Sequence, residues 1–245
     1  MVGAPANARV LWVTGGGSGM GRAAAVAAAA SGWKVAISGR RDDAVAAAAD
    51  DVRQQGAEAL EVPVDVRDGA ALREAHERIT QAWGPVTGLV VSAGLNAPRR
   101  SWSDQSMDEF SDIVETNLTG VARAVDLVLP GMRAAGGGSI VVISSRSAWR
   151  FSPGAGAAYM SSKAALGMLV ASLNDEEGAG GIKACHLCPG DVDSDFLALR
   201  PNVPNGEQRA AMLSPEDVAR SVQFVLESPR HVRVDELVIT PVGQR

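Results

Sequence analysis

Short apolar runs alternate with longer amphipathic or alanine-rich segments along nearly the whole chain. Runs of this length that end in glycine or polar residues are typical of buried strands. They predict strands at 9–14, 34–38, 59–64, 88–92, 139–144, 182–187 and 232–239. The segments between them predict helices at 23–30, 42–55, 69–83, within 101–135, from about 159 and at 215–227. Asp42, Asp43, Asp104 and Ser106 are expected to cap the helices that follow them.

The alternation of strands and helices indicates βαβ crossovers and a parallel sheet that is covered on both faces. The fold class is therefore α/β, and 245 residues suffice for one large domain with a sizeable core. One long irregular region, about 189–213, contains several prolines. Loops of this length in compact domains are usually functional lids, so we predict a mobile substrate loop there.

Composition excludes several classes of partner. A formal charge of −5 argues against nucleic acid or an anionic membrane as the main partner. No apolar run approaches the roughly 20 residues that span a bilayer. Residues 1–9 lack the basic and apolar regions of a secretory signal, so a cytoplasmic location is expected.

A Cys-x-x-Cys pair, Cys185 and Cys188 with His186 inside it, raises the possibility of redox chemistry or a metal site. The pair lies in the strand predicted at 182–187, where side chains three residues apart point to opposite faces. A second pair of ligands is also missing. We therefore predict two small core residues and no metal site.

A glycine-rich loop, Thr14–Gly21, lies directly between the first strand and the first helix. Glycines allow a tight turn and a close approach to a pyrophosphate, while the amides of the helix N-terminus face the anion. This position makes a dinucleotide site a strong hypothesis. Asp65 ends the third strand at the same sheet edge and could contact an adenine ring; a solvated turn aspartate is an equal alternative.

Tyr159 and Lys163 are four residues apart in a predicted helix, so they share one face. A neighbouring ammonium would favour the phenolate and lower the tyrosine pKa toward neutral general acid/base use. A packed ring with a snorkelling amine is the alternative. Tyr159 is the only tyrosine and Lys163 is one of three lysines, which favours a catalytic role for the pair over a packing role.

Several motifs come in an order and spacing that resembles the short-chain dehydrogenases/reductases. They are Thr14–Gly21, Asn117, Ser144–Ser145, Tyr159-x-x-x-Lys163 and Pro189–Gly190, and the resemblance covers about 10–242. It implies a Rossmann-like, doubly wound, seven-stranded parallel sheet in a single dinucleotide-binding catalytic domain, 1–245. It also implies NAD(P)-dependent hydride transfer to or from the carbon of a small carbonyl/alcohol substrate.

The resemblance assigns four catalytic roles. Tyr159 would be the acid/base, Lys163 would lower its pKa and hold the nicotinamide ribose, Ser145 would orient the substrate oxygen, and Asn117 would keep a water in the proton relay. Ser147 competes with Ser145, because the interval from Ser145 to Tyr159 is one residue longer than expected. Ser145 is preferred.

The resemblance and the residues together give a set of cofactor contacts. They are Gly15, Gly17, Ser18, Gly19, Met20, Gly21, Ser38, Arg40, Asp65, Val66, Ala93, Gly94, Tyr159, Lys163, Pro189, Gly190, Val192 and Ser194. Two departures occur: Val91–Gly94 reads Val-Ser-Ala-Gly where the family has Asn-Asn-Ala-Gly, and Ser194 replaces a threonine that binds the nicotinamide carboxamide.

The end of the second strand, 36–41, predicts NADP rather than NAD. An NAD-specific site places an acid there on the ribose 2′-OH, but this chain has Gly39 followed by Arg40. A small residue leaves room for a 2′-phosphate, a guanidinium can hold it through two parallel bonds, and Ser38 could add a hydroxyl. The alternative is a solvated Arg40 and use of either cofactor.

The substrate and the physiological direction are not identified by the sequence. The expected pocket segments are 95–100, 146–152 and 195–212, with Trp149 as an apolar wall. Arg99, Arg100, Arg146 and Arg150 could meet a carboxylate, although a solvated position is favoured for each. The closing segment, 231–243, faintly resembles the end of reductases acting on 3-hydroxy acids.

Two other functions are possible for a chain with this resemblance. A silent dinucleotide-binding sensor or scaffold should show breaks in the catalytic set, and none occurs; related epimerases or dehydratases usually carry a longer C-terminal region. A homo-oligomer, a tetramer with a dimer as the alternative, is expected from the resemblance and from two helices, 121–129 and 164–173, that are apolar on more than one face.

Overall fold

A single seven-stranded parallel sheet organises the protein in the computed structural model, which describes residues 9–244. Its strand order is β3-β2-β1-β4-β5-β6-β7, and every neighbouring pair is parallel. The strands are β1 (Val10–Thr14), β2 (Lys34–Ser38), β3 (Ala59–Glu61), β4 (Gly88–Val91), β5 (Gly138–Ile143), β6 (Ile182–Pro189) and β7 (Glu236–Ile239).

Helices cover both faces of this sheet, as the alternating pattern predicted. They are α1 (Gly19–Ala30), α2 (Asp42–Gln54), α3 (Gly69–Trp83), α4 (Met107–Val114), α5 (Gly120–Ala134), α6 (Arg146–Trp149), α7 (Ala157–Glu177), α8 (Gly206–Ala210) and α9 (Pro215–Glu227). One core cluster joins the sheet to α3, α5 and α7, and the other joins it to α1, α2 and α9. The predicted doubly wound α/β fold in one domain is confirmed.

The strand order reverses between β1 and β4, because β1 pairs with β2 on one side and with β4 on the other. Ligands of open α/β sheets bind at such a reversal, outside the carboxyl ends of the strands. The loops after β1 and β4 therefore position the candidate site.

Several predicted boundaries shift. α1 begins at Gly19, since the end of the glycine loop already forms its first turn. β3 ends at Glu61, although Val62 still donates to Ile37 O. β7 begins only at Glu236, because Val232 N donates to Pro229 O in a turn.

Three of the four predicted caps are wrong. Asp104 Oδ1 accepts from Ser101 N at 2.8 Å in a turn, whereas Ser106 caps α4 with a capping box completed by Glu109. Asp42 and Asp43 lie inside the first turn of α2, with no side-chain cap bond. They stabilise that helix only through its dipole.

The helical region predicted within 101–135 contains a π-helical turn. This turn, Glu115–Thr119, joins α4 to α5, and Gly120 N donates to Glu115 O five residues earlier. Such turns insert an extra residue into a helix and are frequent at functional sites. Here the turn contains Asn117, whose side chain is fully buried.

The segment predicted as an irregular substrate loop, 189–213, contains a 3₁₀ turn, Asp195–Leu199, and the short helix α8. Its two ends pair with each other through a bridge between Val192 and Leu213. An ion pair of 2.7 Å between Arg209 and Asp193 ties α8 to this base. The prolines thus interrupt the helices without removing local structure. Within residues 9–244, no helix is long and apolar enough to cross a bilayer.

Candidate active site

The loop between β1 and α1 is tightly packed, and its glycines have specific reasons to be there. Gly15 has φ +67°, and a Cβ on it would overlap the backbone of Ala93 at the end of β4. A Cβ on Gly21 would overlap the carbonyl oxygen of Gly15. The turn is therefore closed against β4 and against the start of α1, which leaves the helix N-terminus directed at the sheet edge.

A cavity of about 630 Å³ opens at this edge. Most of the predicted cofactor residues line it: Gly15, Gly17, Ser18, Gly19, Met20, Arg40, Asp65, Val66, Ala93, Gly94 and Ser194. Other residues of the lining were not predicted as cofactor contacts, namely Arg41, Ala44, Val64, Ser92, Leu95, Thr116, Asp195, Phe196 and Leu199. The loops that follow β1, β2, β3 and β4 thus meet at one site.

The predicted contact of Ser38 with the cofactor is corrected by the structure. The side chain of Ser38 is fully buried and accepts a hydrogen bond from Trp12 Nε1 inside the core. Side chains alternate along a strand, and the last residue of β2 points inward. The cavity lining also lacks Gly21, Pro189, Gly190 and Val192: Gly21 packs on Gly15, and Val192 pairs with Leu213.

Asp65 lines the cavity, but an ion pair of 2.8 Å with Arg67 occupies its carboxylate. The hydrogen bonds from Arg67 lower the pKa of Asp65, and the positive charge of Arg40 acts in the same direction. Arg40 is exposed at the cavity wall, and none of the described residues forms an ion pair with it. Of the two, Arg40 is the group free to meet an anion.

Tyr159 lies in the first turn of α7, and the hydroxyl of Ser145 is near enough to lower the pKa of Tyr159. Ser145 also caps α6, because its Oγ accepts from Ser147 N at 3.1 Å. Ser147 contributes its backbone to this cap, so the geometry favours Ser145 over Ser147 beside Tyr159. Burial raises the pKa of Tyr159 above its usual value, while Ser145 and the charges of Arg200 and Arg100 oppose that rise.

Lys163 is not among the groups that shift the pKa of Tyr159 most, and its predicted effect on the tyrosine stays a prediction. Its ammonium is buried, donates to Ile143 O at 3.0 Å and lies 6.0 Å from the centroid of the Tyr159 ring. Burial lowers the pKa of Lys163 itself to about 8. The spacing of the two residues indicates a shared face but not the direction of a long side chain.

The side chain of Asn117 is hydrogen-bonded within the protein, and its predicted role as the holder of a water stays a prediction. Its Nδ2 donates to Leu95 O at 2.9 Å and to Ser162 Oγ at 3.1 Å, while its Oδ1 accepts from Leu95 N at 2.7 Å. Both amide hydrogens are thus satisfied by the protein. The side chain ties the loop after β4 to helix α7.

Gly94 connects the catalytic set to the cavity. A Cβ on Gly94 would lie 3.7 Å from both Asn117 Oδ1 and Lys163 Nζ, so these two groups lie directly behind the cavity wall. On the other side, Phe196 of the lining packs near Tyr159, with ring centroids 6.1 Å apart. The cavity and the candidate catalytic residues therefore form one site.

The two cysteines are buried and unbridged, as predicted for small core residues. Burial raises the pKa of each thiol to about 12. The structure adds a neighbour relation that the sequence analysis missed: Cys188 Sγ lies 3.5 Å from His186 Nδ1, which is 3.0 Å from Glu236 Oε2. Alternation on β6 and pairing with β7 bring these three side chains together.

Comparison with known proteins identifies the family. The family model of short chain dehydrogenases matches residues 9–202. The chain belongs to this family. Seven parallel strands, the glycine loop at the strand reversal and the Tyr159–Lys163 pair agree with that membership.

Among its relatives, the chain is 32% identical to the glycine betaine reductase ATRR of Emericella nidulans over 97% of its own length. It spans only 19% of that much longer protein. Two solved structures are similar over nearly their whole length. An alcohol dehydrogenase of the archaeon Thermococcus sibiricus, complexed with 5-hydroxy-NADP, is 30% identical, with a TM-score of 0.85 and coverage of 97% and 98%. A single-substitution variant of the actinorhodin polyketide ketoreductase with NADPH is 25% identical, with a TM-score of 0.87 and coverage of 96% of each chain.

Proposed function

We propose that the protein is an NADP-preferring oxidoreductase that interconverts a small carbonyl compound and its alcohol, with Tyr159 as the acid/base. The observation that supports this most strongly is the joining of two sites. The glycine-lined cavity and the Tyr159–Ser145 pair share the walls formed by Gly94 and Phe196.

The residues of the cavity fit a dinucleotide. Gly15, Gly17 and Gly19 leave its floor free of side chains, and the N-terminus of α1 faces it. Arg40 stands where a ribose 2′-phosphate would lie, and Ser194 would hold the nicotinamide amide. When bound, the nicotinamide ring supplies or accepts the hydride.

In the direction of reduction, the Tyr159 hydroxyl donates a proton to the substrate oxygen while Ser145 orients that oxygen. The raised pKa of Tyr159 keeps the hydroxyl protonated at neutral pH, as an acid requires. Lys163 is held by Ile143 O beneath the wall and would contact the nicotinamide ribose. Phe196 packs beside the Tyr159 ring.

The directions of the reaction should differ in their pH dependence. Oxidation needs the tyrosinate, whose fraction rises with pH below the raised pKa of Tyr159. We expect kcat/KM for alcohol oxidation to rise by up to about tenfold per pH unit between pH 6 and 8. Reduction needs the protonated form and should not rise over this range.

The measurement is NADPH absorbance with a panel of carbonyl compounds and alcohols at each pH. Oxidation that stays flat or falls with rising pH would contradict the assigned role of Tyr159. A panel that yields no turnover with NADPH or NADH would favour the silent sensor.

A cytoplasmic location remains a prediction from the sequence.

The protein is also proposed to be a homo-oligomer, most simply a tetramer. Partly buried Leu127 and Leu129 on α5 and the 74% exposed Met168 on α7 continue the apolar surface beyond the core. A helix with apolar residues outside its buried face gains stability when a second surface covers it. Light scattering at micromolar concentration should give a multiple of 25.3 kDa, and a monomeric mass would contradict this prediction.

A further inference from the structure

Two arginines flank the candidate acid/base from segments far apart in the sequence. Arg100 lies in the loop after β4, and Arg200 directly follows the 3₁₀ turn Asp195–Leu199. The charges of both act on Tyr159 and lower its pKa. The ion pair of Arg200 with Asp191, at 2.5 Å, brings in one compensating negative charge. The surroundings of Tyr159 therefore carry an excess of positive charge.

Arg100 is partly buried, and its hydrogen bonds do not neutralise it. Its Nε donates to Ala97 O at 2.7 Å, and its Nη2 donates to Leu199 O. Carbonyl oxygens orient a guanidinium but leave its charge in place. Burial and the repulsion of Arg200 both lower the pKa of Arg100, so holding this cation here has a cost.

The neighbouring Arg99 shows the ordinary arrangement. Its side chain is 66% exposed and forms an ion pair of 2.8 Å with Glu109. Across residues 9–244, no such carboxylate lies within ion-pair distance of Arg100. The two adjacent arginines thus have opposite environments. Arg99 is exposed and ion-paired, whereas Arg100 is partly buried and has no counter-ion among the described residues.

The position of Arg100 is built into the start of α7. Gly156, three residues before Tyr159, has φ +92°, and a Cβ on it would lie 2.8 Å from Arg100 Cβ. Any larger residue there would displace the arginine. From this point the guanidinium reaches Leu199, which lines the cavity. The charge therefore lies between helix α7 and the segment that closes over Tyr159.

We propose that Arg100 and Arg200 form a subsite for a carboxylate on the carbonyl substrate, so that the protein acts on short oxo acids and the corresponding hydroxy acids. A carboxylate would supply the negative charge that Arg100 lacks, through charge-assisted hydrogen bonds. It would also fix the distance of the reacting carbonyl from Tyr159 and Ser145. This inference rests on the proposed oxidoreductase function.

The test compares short oxo acids with their methyl esters, which remove the charge and keep the carbonyl. We expect the wild-type kcat/KM with NADPH to favour the acid by about tenfold to a hundredfold. Arg100→Gln should reduce this preference to about twofold, mainly through KM, and Arg100→Lys should retain part of it. Arg200→Gln should weaken the preference, and Arg99→Gln is the matched control that should leave it unchanged.

Equal rates for acids and esters in the wild type would overturn the proposal while leaving the oxidoreductase function intact. An Arg100→Gln variant that loses activity equally on both would show that Arg100 only holds the 195–199 segment in place. Calorimetric titration of the NADP⁺-loaded protein with hydroxy acids and their amides gives a readout without turnover. Binding that favours the acid and depends on Arg100 supports the subsite even if no panel compound is reduced; binding without that preference rejects it.

Discussion

Tyr159→Phe is expected to lower kcat by at least about 100-fold, because positioned acid/base catalysis typically contributes 10²–10⁴-fold. The substitution keeps the ring, so the packing against Phe196 should persist and cofactor affinity should change little. It removes the only atom of this side chain that can exchange a proton with the substrate. Single-turnover rates and cofactor titration would separate the two effects.

Two serine variants serve as matched controls for this experiment. Ser145→Ala removes the hydroxyl that acts on the pKa of Tyr159 and should also lower kcat strongly. Ser147→Ala removes a hydroxyl only two residues away, while its backbone N continues to donate to Ser145 Oγ, and it should have little effect. If Tyr159→Phe retained a tenth of kcat, the proton would have to come from another group.

The second large effect concerns the choice of cofactor. We expect the wild type to favour NADPH over NADH by about tenfold to a hundredfold in kcat/KM, because hydrogen bonds to charged groups contribute about 1.5–3 kcal/mol. Arg40 is exposed at the cavity wall beside Gly39, and the lack of a side chain on Gly39 is expected to leave room for a 2′-phosphate. Arg40→Asp should reverse or erase the preference, since a carboxylate repels the phosphate and accepts from a ribose hydroxyl.

Arg73→Asp offers a control with the same change of charge, on the exposed face of α3 outside the cavity lining. It should leave the ratio of the two kcat/KM values unchanged. Equal use of both cofactors by the wild type would reject the preference. A preference that survives Arg40→Asp would instead assign it to other residues of the lining, with Arg41 as the next variant to test.

Local patterns predicted the layered fold because each strand and helix carries its own periodicity. The glycine loop was equally predictable from the sequence, since Gly15 and Gly21 occupy positions where a Cβ would overlap backbone atoms. Side-chain directions were less predictable. Ser38 adjoins the predicted phosphate site in sequence, yet the register of β2 directs its hydroxyl to Trp12.

For the candidate substrate side, the sequence predicted the segments but not which of their residues come together. Arg100, Phe196 and Arg200 come from segments about a hundred residues apart and meet only when the turn at 195–199 folds over α7. Arg100 resembled its neighbour Arg99 in sequence, and only burial separates the two. Whether a charged side chain is buried depends on tertiary packing, and this leaves no local pattern in the sequence.

The π-helical turn Glu115–Thr119 has a consequence for how this region tolerates change. One extra residue in a helix shifts the phase of all following side chains by about 100°. One face of helix α4 can therefore pack on α7 while one face of α5 packs on α3, although the two helices are continuous through the π-helical turn. Deleting a single residue here would leave the helix intact but rotate one half against the other. Asn117 would then lose Leu95 and Ser162 together, so this site should accept substitutions far more readily than changes in length.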